Sequence, residues 1–347
     1  MKKISVLLCA SLLTTSVYAR NQVKIVGSST IYPFSSAVAE ELGAISSFAT
    51  PVVESTGSGG GMKLFCAGNG LNTPDITNAS RPMKKSEFET CVKNGVDDIT
   101  QAIIGYDGIA FAHERSNSNF NISKKNLALA VAKEVPSKDG KKLIPNPYKK
   151  WSDIDKNLPN KKISIYGPPK SSGTRDAFEE LVMQSVFKKI PLYTDLYKKD
   201  KKKYKQYKKY SIIRTDGVYV ESGENDNLIV QKLTKDKNAF GIFGFSFLEE
   251  NDDIIKGATI DGIQATPKNI SSSTYPISRS LFFYIKNSHR NKVSGLNEYI
   301  KLFMNEKMIG DEGILRDIGL IALPKSKRDK VREAVLGKVK LKKEDLK

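Results

Sequence analysis

The chain has 347 residues, of which 39% are apolar and 9% aromatic, and it carries a formal net charge of +18. This length is typical of two domains, and the composition is that of a soluble globular protein. After the first 20 residues no apolar run is long enough to span a bilayer, which argues against a helical membrane protein. The positive charge favours nucleic acid, a membrane surface or small anions as partners.

The first 19 residues have the features of a secretory signal peptide. A basic start, Met1–Lys3, is followed by a short apolar run from Ile4 to Leu13 and by the small-residue motif Val17-Tyr18-Ala19. This pattern predicts cleavage after Ala19 and a periplasmic or secreted mature protein.

Two cysteines, Cys66 and Cys91, remain in the predicted mature chain. In an oxidising compartment a disulfide is the simplest interpretation, with free thiols or a metal site as alternatives. We expect no metal, because the two histidines, His113 and His289, are not at ligand spacing.

Much of the positive charge lies in one lysine-rich run, residues 198–209. We interpret it as a solvated loop or helix face. Its interleaved tyrosines would suit nucleic acid, but the predicted export and the absence of a binding motif argue against that partner.

The first two predicted units each consist of a strand, a hydroxyl-containing turn and a helix. Residues 22–27 predict a strand, residues 28–33 a turn, and the apolar positions from Phe34 to Leu42 a helix. A second strand at 51–55 leads into the turn Thr56-Gly57-Ser58-Gly59-Gly60-Gly61 and a helix from Met62. This glycine-rich turn matches neither phosphate-loop nor dinucleotide-binding motifs, and by itself it is equally compatible with a flexible loop.

Further along, residues 78–82 are extended and contain Arg81, and Asp107 stands at the entry to a predicted strand at 107–112. That aspartate is equally compatible with an ordinary turn or cap residue. The third unit has a strand at 161–166, the turn 168–175 and a helix beyond it. Residues 281–285, which follow Ser278-Arg279, form a strongly apolar strand.

The third turn offers a site for a small anion. Helix N-terminal amides lack intrahelical acceptors and lie at the positive end of the dipole. Ser172 and Thr174 add hydroxyl donors, and Arg175 adds a planar cation. The alternative is an ordinary Ser/Thr helix cap, but the repetition of this device in three turns favours anion binding. Alternating strands and helices predict an α/β fold with largely parallel sheets.

Five short motifs resemble the periplasmic phosphate-binding proteins of the bacterial phosphate ABC importer, and the resemblance spans nearly all of the predicted mature chain. The motifs are Gly27-Ser28-Ser29-Thr30, Thr56-Gly57-Ser58-Gly59-Gly60, Asn78-Ala79-Ser80-Arg81-Pro82, Ser172-Gly173-Thr174-Arg175 and Gly241-Ile242-Phe243-Gly244. The resemblance implies a type II periplasmic binding protein, with two α/β lobes joined by two crossing strands and a ligand cleft between them. By this analogy residues 20–107 and 279–347 form lobe I, and residues 108–278 form lobe II.

The resemblance also implies a phosphate site built from backbone amides and hydroxyls. Matched residue by residue, the predicted ligands are Ser29, Thr30, Ile31, Ser58, Ser172, Gly173 and Thr174. Two departures from the family pattern redistribute the charge. Arg81 stands where the family has an aspartate that accepts a hydrogen bond from protonated phosphate, and Pro168 stands where it has an arginine.

The candidate cations are therefore Arg81 and Arg175, and the candidate acceptor carboxylate is Asp107. An acceptor would admit hydrogen phosphate and exclude sulfate, which cannot supply the proton. We expect a monomer that delivers phosphate to a membrane permease and needs no cofactor.

Three other functions remain open at this point. A receptor for another tetrahedral oxyanion, such as sulfate or a phosphonate, is compatible with Arg81. A secreted phosphatase would need a nucleophile with a base or a metal, and the sequence offers no such pairing near Ser58 or Ser172. An adhesion or interaction protein would use the basic surface instead.

Overall fold

The structure is a computed structural model that describes residues 20–205, 210, 212–223 and 226–346. The predicted signal peptide and part of the lysine-rich run, residues 206–209, lie outside the described residues. The described residues include no helix with the length and apolar character that crossing a membrane requires.

Alternating strands and helices make up most of the described chain. The strands are β1 Lys24–Gly27, β2 Val52–Ser55, β3 Ile76–Ala79, β4 Ile99–Glu114, β5 Asn121–Ile122, β6 Glu134–Pro136, β7 Leu143–Pro145, β8 Ile165–Gly167, β9 Tyr219–Glu221, β10 Phe240–Gly244, β11 Ile255–Gly257, β12 Thr259–Ile260 and β13 Ser278–Lys286.

The helices lie between these strands and after the last of them. They are α1 Tyr32–Ile45, α2 Gly57–Phe65, α3 Lys85–Lys93, α4 Lys124–Val131, α5 Trp151–Ile154, α6 Gly173–Phe178, α7 Ser185–Phe187, α8 Pro191–Lys199, α9 Asn227–Lys235, α10 Phe245–Glu250, α11 Pro267–Ser271, α12 Leu296–Phe303, α13 Glu306–Ile309 and α14 Lys325–Leu336. A π-helical segment, Glu179–Gln184, directly continues α6.

One mixed sheet runs through the molecule, in the strand order β2-β1-β3-β13-β4-β10-β8-β9 among the described residues, with β11 also paired to β4. The pairs β1–β2, β1–β3, β8–β10 and β8–β9 are parallel, whereas β13 is antiparallel to both β3 and β4. This α/β architecture confirms the predicted fold class, but the sheet is mixed rather than largely parallel, because the long strands β4 and β13 pair antiparallel.

The sixteen-residue strand β4 connects the two ends of the sheet. Its first part pairs with β13, through Lys286↔Ile99 to Ser278↔Gly108, and its second part pairs with β10 and β11. The sequence predicted a separate strand at 107–112. The structure instead has one continuous strand, because each part of β4 finds an antiparallel partner.

The buried apolar residues divide on the two sides of this junction. One core contains Phe111, Trp151 and Phe243, drawn mostly from residues 106–277, whereas another contains Val38, Phe283 and Phe303. A smaller cluster includes Cys66 and Cys91, which the structure joins in a disulfide. The precise lobe limits given above stay a prediction.

The glycine-rich segment after β2 is helical, since α2 begins at Gly57 rather than at Met62. This helix packs closely on the sheet. A Cβ at Gly61 would lie 2.5 Å from the Cα of Gly27. Gly27 itself has a φ of +130°, which favours glycine, and a Cβ there would strike the carbonyl oxygen of Asn78. These glycines bring the first two turns together.

Candidate functional site

The first two predicted turns open onto one cavity of about 370 Å³. Its wall is polar and carries hydroxyl groups, guanidinium groups and carboxylates. The lining residues are Ser28, Ser29, Thr30, Gly57, Ser58, Gly59, Ser80, Arg81, Asp176, Glu179, Glu180, Gln184 and Arg279.

The first turn contributes Ser29 and Thr30, as predicted from the sequence. Thr30 is 9% exposed, and its Oγ1 accepts a hydrogen bond from Nη2 of Arg279 at 2.6 Å. Ile31 is placed differently, because its side chain is fully buried and its amide donates to the carbonyl of Ser28. This geometry therefore does not favour the predicted role of Ile31 as a phosphate ligand through its amide.

The second turn contributes Ser58, which lies next to Ser80 at the end of β3. The two hydroxyl oxygens are 3.1 Å apart, and Oγ of Ser58 also accepts from the backbone amide of Ser80. Ser80 is 6% exposed. Its hydroxyl was not among the predicted ligands, although the motif at 78–82 pointed to this segment.

Arg81 lines the cavity but already has a carboxylate partner. Nη2 and Nη1 donate to Oε1 and Oε2 of Glu87 at 2.7 and 2.9 Å. The hydrogen bond to Glu87 raises the pKa of Arg81. Burial of Glu87 acts to raise its pKa, but the hydrogen bonds from Arg81 and from the backbone amide of Lys84, together with the charges of Arg81 and Lys84, outweigh burial and hold the pKa below its usual value.

The third turn lies against the first turn rather than on the cavity wall. Ser172 caps α6, because its side chain accepts a hydrogen bond from the amide of Thr174. This agrees with the alternative interpretation of the third turn as an ordinary helix cap. A Cβ at Gly173 would lie 3.0 Å from the carbonyl oxygen of Ser29. The carbonyl of Gly173 also accepts a long hydrogen bond, 3.4 Å, from Thr30.

Arg175 is not on the cavity wall, contrary to the role predicted for it. Its side chain is 3% exposed, Nε donates to Glu179 at 2.7 Å, and Nη1 donates to the carbonyl of Pro168 at 3.1 Å. The guanidinium also stacks 5.0 Å from the ring centre of Tyr219. These contacts give Arg175 a structural role in fixing the third turn.

The buried cation at the cavity is Arg279 on β13, which was not predicted as a site residue. Asp107 faces it from β4, with Nε of Arg279 3.3 Å from Oδ2 of the aspartate. Nη1 of Arg279 donates to Glu180 at 2.7 Å. Asp107 therefore supports Arg279 from behind and does not line the cavity, so its predicted role as the acceptor is not supported by this geometry. The sequence signal for Arg279 was an arginine directly before a strongly apolar strand.

Carboxylates on the cavity wall are the second feature that the sequence did not predict. Asp176, in the first turn of α6, accepts from the hydroxyl of Ser29 at 2.5 Å, and Glu180 follows one turn later. Glu179 and Gln184 complete the contribution of this helical segment. The site is thus mixed in charge, but its wall carboxylates are Asp176, Glu179 and Glu180 rather than the predicted Asp107.

Another buried carboxylate, Asp226, lies near the strand junction. It is 4% exposed, and Oδ2 accepts from the amide of Gly244 at 3.0 Å. Burial, opposed by that bond and reinforced by the charge of Asp107, raises the pKa of Asp226 to about 6.

Within the part of the chain that the structure describes, no group of three or more His, Cys, Asp or Glu side chains could hold a metal ion. A larger cavity of about 760 Å³, with Phe120, Trp151 and Phe240 in its wall, contains none of the predicted site residues. We assign the site to the smaller cavity because the predicted turns meet there.

Comparison with known proteins agrees with this geometry. Residues 14–307 match the family described as the PBP superfamily domain. The chain belongs to the PBP superfamily. Among curated relatives, protein SphX of Synechococcus elongatus is 28% identical over 304 residues, which cover 86% of this chain and 76% of SphX. The phosphate-binding protein PstS of Staphylococcus haemolyticus is 28% identical over 320 residues, covering 90% of this chain and 85% of PstS.

Solved structures of the superfamily share the fold. A possible phosphate binding protein from Planctomyces limnophilus superposes with a TM-score of 0.73 and 26% identity, covering 93% of this chain and all of that one. An ABC-type phosphate transport receptor from Vibrio cholerae, at 17% identity and a TM-score of 0.58, covers 87% of this chain and all of the receptor. The chain is thus similar in sequence and fold to phosphate-binding transport proteins.

Proposed function

We propose that this protein binds inorganic phosphate between its two lobes and delivers it to the permease of an ABC importer. The observation that carries the proposal is Arg279, a guanidinium 7% exposed that faces a cavity rich in serine and threonine hydroxyls. The relatives named as phosphate-binding proteins support the same ligand. Delivery from the periplasm or cell surface follows from the predicted export signal.

In this proposal Arg279 supplies the central positive charge, and Arg81 supplies a second charge at the cavity wall. Thr30, Ser58 and Ser80 donate from hydroxyl groups, which can rotate to suit the ligand oxygens. Amides at the N-terminus of α2, which begins at Gly57, add donors that have no partner within their own helix.

Ser172, Gly173 and Thr174 can bind phosphate as predicted only if the third turn moves relative to the first turn. Gly173 is in contact with the first turn in this structure, so phosphate can enter between the two turns only if they separate. We infer that the lobes open at this contact to admit phosphate and close again around it. The crossing strands β4 and β13 would carry the hinge.

Charge-assisted hydrogen bonds contribute about 1.5–3 kcal/mol each, so four or five would contribute about 6–15 kcal/mol, and the cost of desolvating the anion offsets part of this gain. We expect a dissociation constant in the micromolar range or below, about −8 kcal/mol or stronger. We propose a binding protein rather than a phosphatase because the relatives named as phosphate-binding proteins favour it, although the hydroxyl of Ser29 donates to the carboxylate of Asp176 within the cavity wall.

Calorimetric titration of the exported protein with phosphate and with sulfate tests this function. We expect micromolar or tighter binding of phosphate and no measurable binding of sulfate. Equal affinity for both anions would indicate a general oxyanion receptor. Absence of phosphate binding, or only millimolar binding, would contradict the proposal.

A further inference from the structure

The larger cavity, of about 760 Å³, is separate from the cavity assigned to phosphate, and among the residues that the structure describes the two have no lining residue in common. It lies where β4 ends and β10 begins, at the paired residues His113 and Phe240. β13 pairs with β4 only as far as Gly108, so this cavity lies beyond the strand junction. Its volume is within the range of small-molecule sites, about 300–1,000 Å³.

Two residues in the wall of this cavity each have a buried ring nitrogen without a hydrogen-bond partner in the described parts of the chain. They are His113, which is 2% exposed, and Trp151, which is 1% exposed, and the atoms are Nε2 of the imidazole and Nε1 of the indole. Phenylalanine rings pack around the indole, but a ring face is only a weak acceptor for an N–H group. Because buried polar atoms normally are hydrogen-bonded, these two atoms indicate that a polar group of a ligand contacts this wall.

The two nitrogens differ in what they can bond. Nδ1 of His113 lies 2.9 Å from the carbonyl oxygen of Glu114, which can only accept, so Nδ1 carries the hydrogen and Nε2 of the neutral ring is an acceptor. Burial lowers the pKa of His113 and so favours the neutral ring, with the charge of Lys256 acting in the same direction and the bond to Glu114 opposing it. Nε1 of Trp151 can only donate. Hydroxyl groups suit both atoms, since a hydroxyl group donates and accepts.

The rest of the wall combines aromatic rings with uncharged amides. The ring centres of Phe120 and Phe240 are 4.6 Å apart. Six asparagines also line the cavity, and they are Asn117, Asn119, Asn121, Asn126, Asn157 and Asn238. Of the charged lining residues, Asp155 accepts from an asparagine amide, Lys237 has a carboxylate 3.9 Å away, and Lys161 is exposed. A ligand in this cavity therefore meets mainly uncharged groups.

We propose that this cavity binds an uncharged sugar. The C–H faces of the sugar ring pack against Phe120 and Phe240. Its hydroxyl groups donate to Nε2 of His113, accept from Nε1 of Trp151 and bond to the asparagine amides. Both nitrogens are buried, so rim side chains shift as the sugar enters. A purely apolar ligand would leave the nitrogens and the amides without partners. An anionic group would lose its water to a wall whose histidine is neutral and whose amides carry no charge.

The chain contains a single tryptophan, Trp151, so its fluorescence and its indole N–H resonance report directly on this cavity. The test titrates the full-length mature protein with glucose, N-acetylglucosamine and glucuronate while the indole N–H resonance is recorded by NMR. We expect a saturable shift with at least one of the two neutral sugars, at a dissociation constant of about 1 mM or below. Glucuronate, which adds a carboxylate, should bind more weakly.

Two exposed asparagines of the rim give variants that should fold, Asn157→Ala and Asn238→Ala. Each should weaken binding of the neutral sugar about three- to tenfold, the loss expected for one hydrogen bond between uncharged groups. Asn72→Ala, at an exposed asparagine that does not line the cavity, is the matched control and should bind the sugar as the wild-type protein does. His113→Phe keeps an aromatic ring but removes the buried acceptor, and it should weaken binding by at least about tenfold. Phosphate affinity should be the same in all four variants.

Three outcomes would overturn the inference. The first is the absence of a saturable shift with either neutral sugar, and the second is equal sugar affinity in the rim variants and in Asn72→Ala. The third is tighter binding of glucuronate than of either neutral sugar, which would indicate an anion site at the rim lysines. The phosphate titration tests the proposed function separately. A protein that binds a neutral sugar and not phosphate would overturn the proposed function and support this inference.

Discussion

Arg279 and Asp107 stand directly opposite each other on the antiparallel strands β13 and β4. Nε of the arginine lies 3.3 Å from Oδ2 of the aspartate, and its remaining nitrogens reach Glu180 and Thr30. One guanidinium thus links a strand pair of the junction to the first turn and to the helical segment after the third turn. Any movement between the two halves must alter at least one of these contacts.

Replacement of Arg279 should remove the central charge of the site. For Arg279→Gln we expect the dissociation constant for phosphate to rise by about 30- to 1000-fold, corresponding to about 2–4 kcal/mol, as calorimetry would measure. The exposed Arg316→Gln is the control. Because the single variant leaves Asp107 without its counterion, Asp107→Asn in the same chain should recover thermal stability but not affinity. Unchanged affinity in either variant would exclude Arg279 from the site.

Replacement of Arg175 should lower stability rather than phosphate affinity, because its partners lie inside the protein and not on the cavity wall. Arg175→Met removes a charge that is 3% exposed and leaves Glu179 without its closest cation. We expect the free energy of unfolding to fall by about 3–5 kcal/mol and the phosphate affinity of the folded protein to change by less than about tenfold. Denaturant unfolding and calorimetry would measure the two effects. A large loss of affinity at unchanged stability would restore Arg175 as a ligand.

Gly173 allows the first and third turns to approach. Gly173→Ala would place a Cβ 3.0 Å from the carbonyl oxygen of Ser29 and 3.1 Å from the Cα of Thr30, where backbone has little room to yield. We expect at least about tenfold weaker phosphate binding with a small change in stability. Gly60→Ala is the matched control, since its Cβ would make only ordinary contacts of 3.5 Å or more with Thr56. Equal affinities in the two variants would contradict a role for close contact at Gly173.

Asp226 should make stability depend on pH between about 4 and 6. Burial raises its pKa from 3.8 to about 6. In that interval the folded state binds more protons than the unfolded state, so the free energy of unfolding falls as pH rises. This loss of stability is complete above pH 6. Two pKa units correspond to about 3 kcal/mol.

Asp226→Asn should therefore be more stable than the wild-type protein at pH 7 and lose this part of the pH dependence. Asparagine can still accept from the amide of Gly244 through its Oδ1, so this hydrogen bond is retained. Thermal melts from pH 4 to 8 would measure the difference. The same change of melting temperature with pH in both proteins would contradict the raised pKa of Asp226. Asp155→Asn, at a partly exposed carboxylate, is the control.

Sequence patterns alone determined the α/β class, the positions of α1 and β13, and the two hydroxyl turns that meet at the cavity. These features depend on contacts between residues near each other in the chain, and local patterns report such contacts well. The resemblance to the phosphate-binding proteins then predicted Ser29, Thr30, Ser58 and Arg81 as site residues, and all four line the cavity.

Only the tertiary structure decided which charges face the cavity. Arg175 and Arg279 are the same residue type, but the internal pairing of Arg175 has a local i,i+4 component, whereas the partners that fix Arg279 are distant in the sequence. The difference arises from partners 172 residues apart for Arg279 and Asp107, against four for Arg175 and Glu179. The long-range pairing of β13 with β4 sets the position of Arg279, and the helical segment across the cavity brings Asp176 and Glu180 to face it.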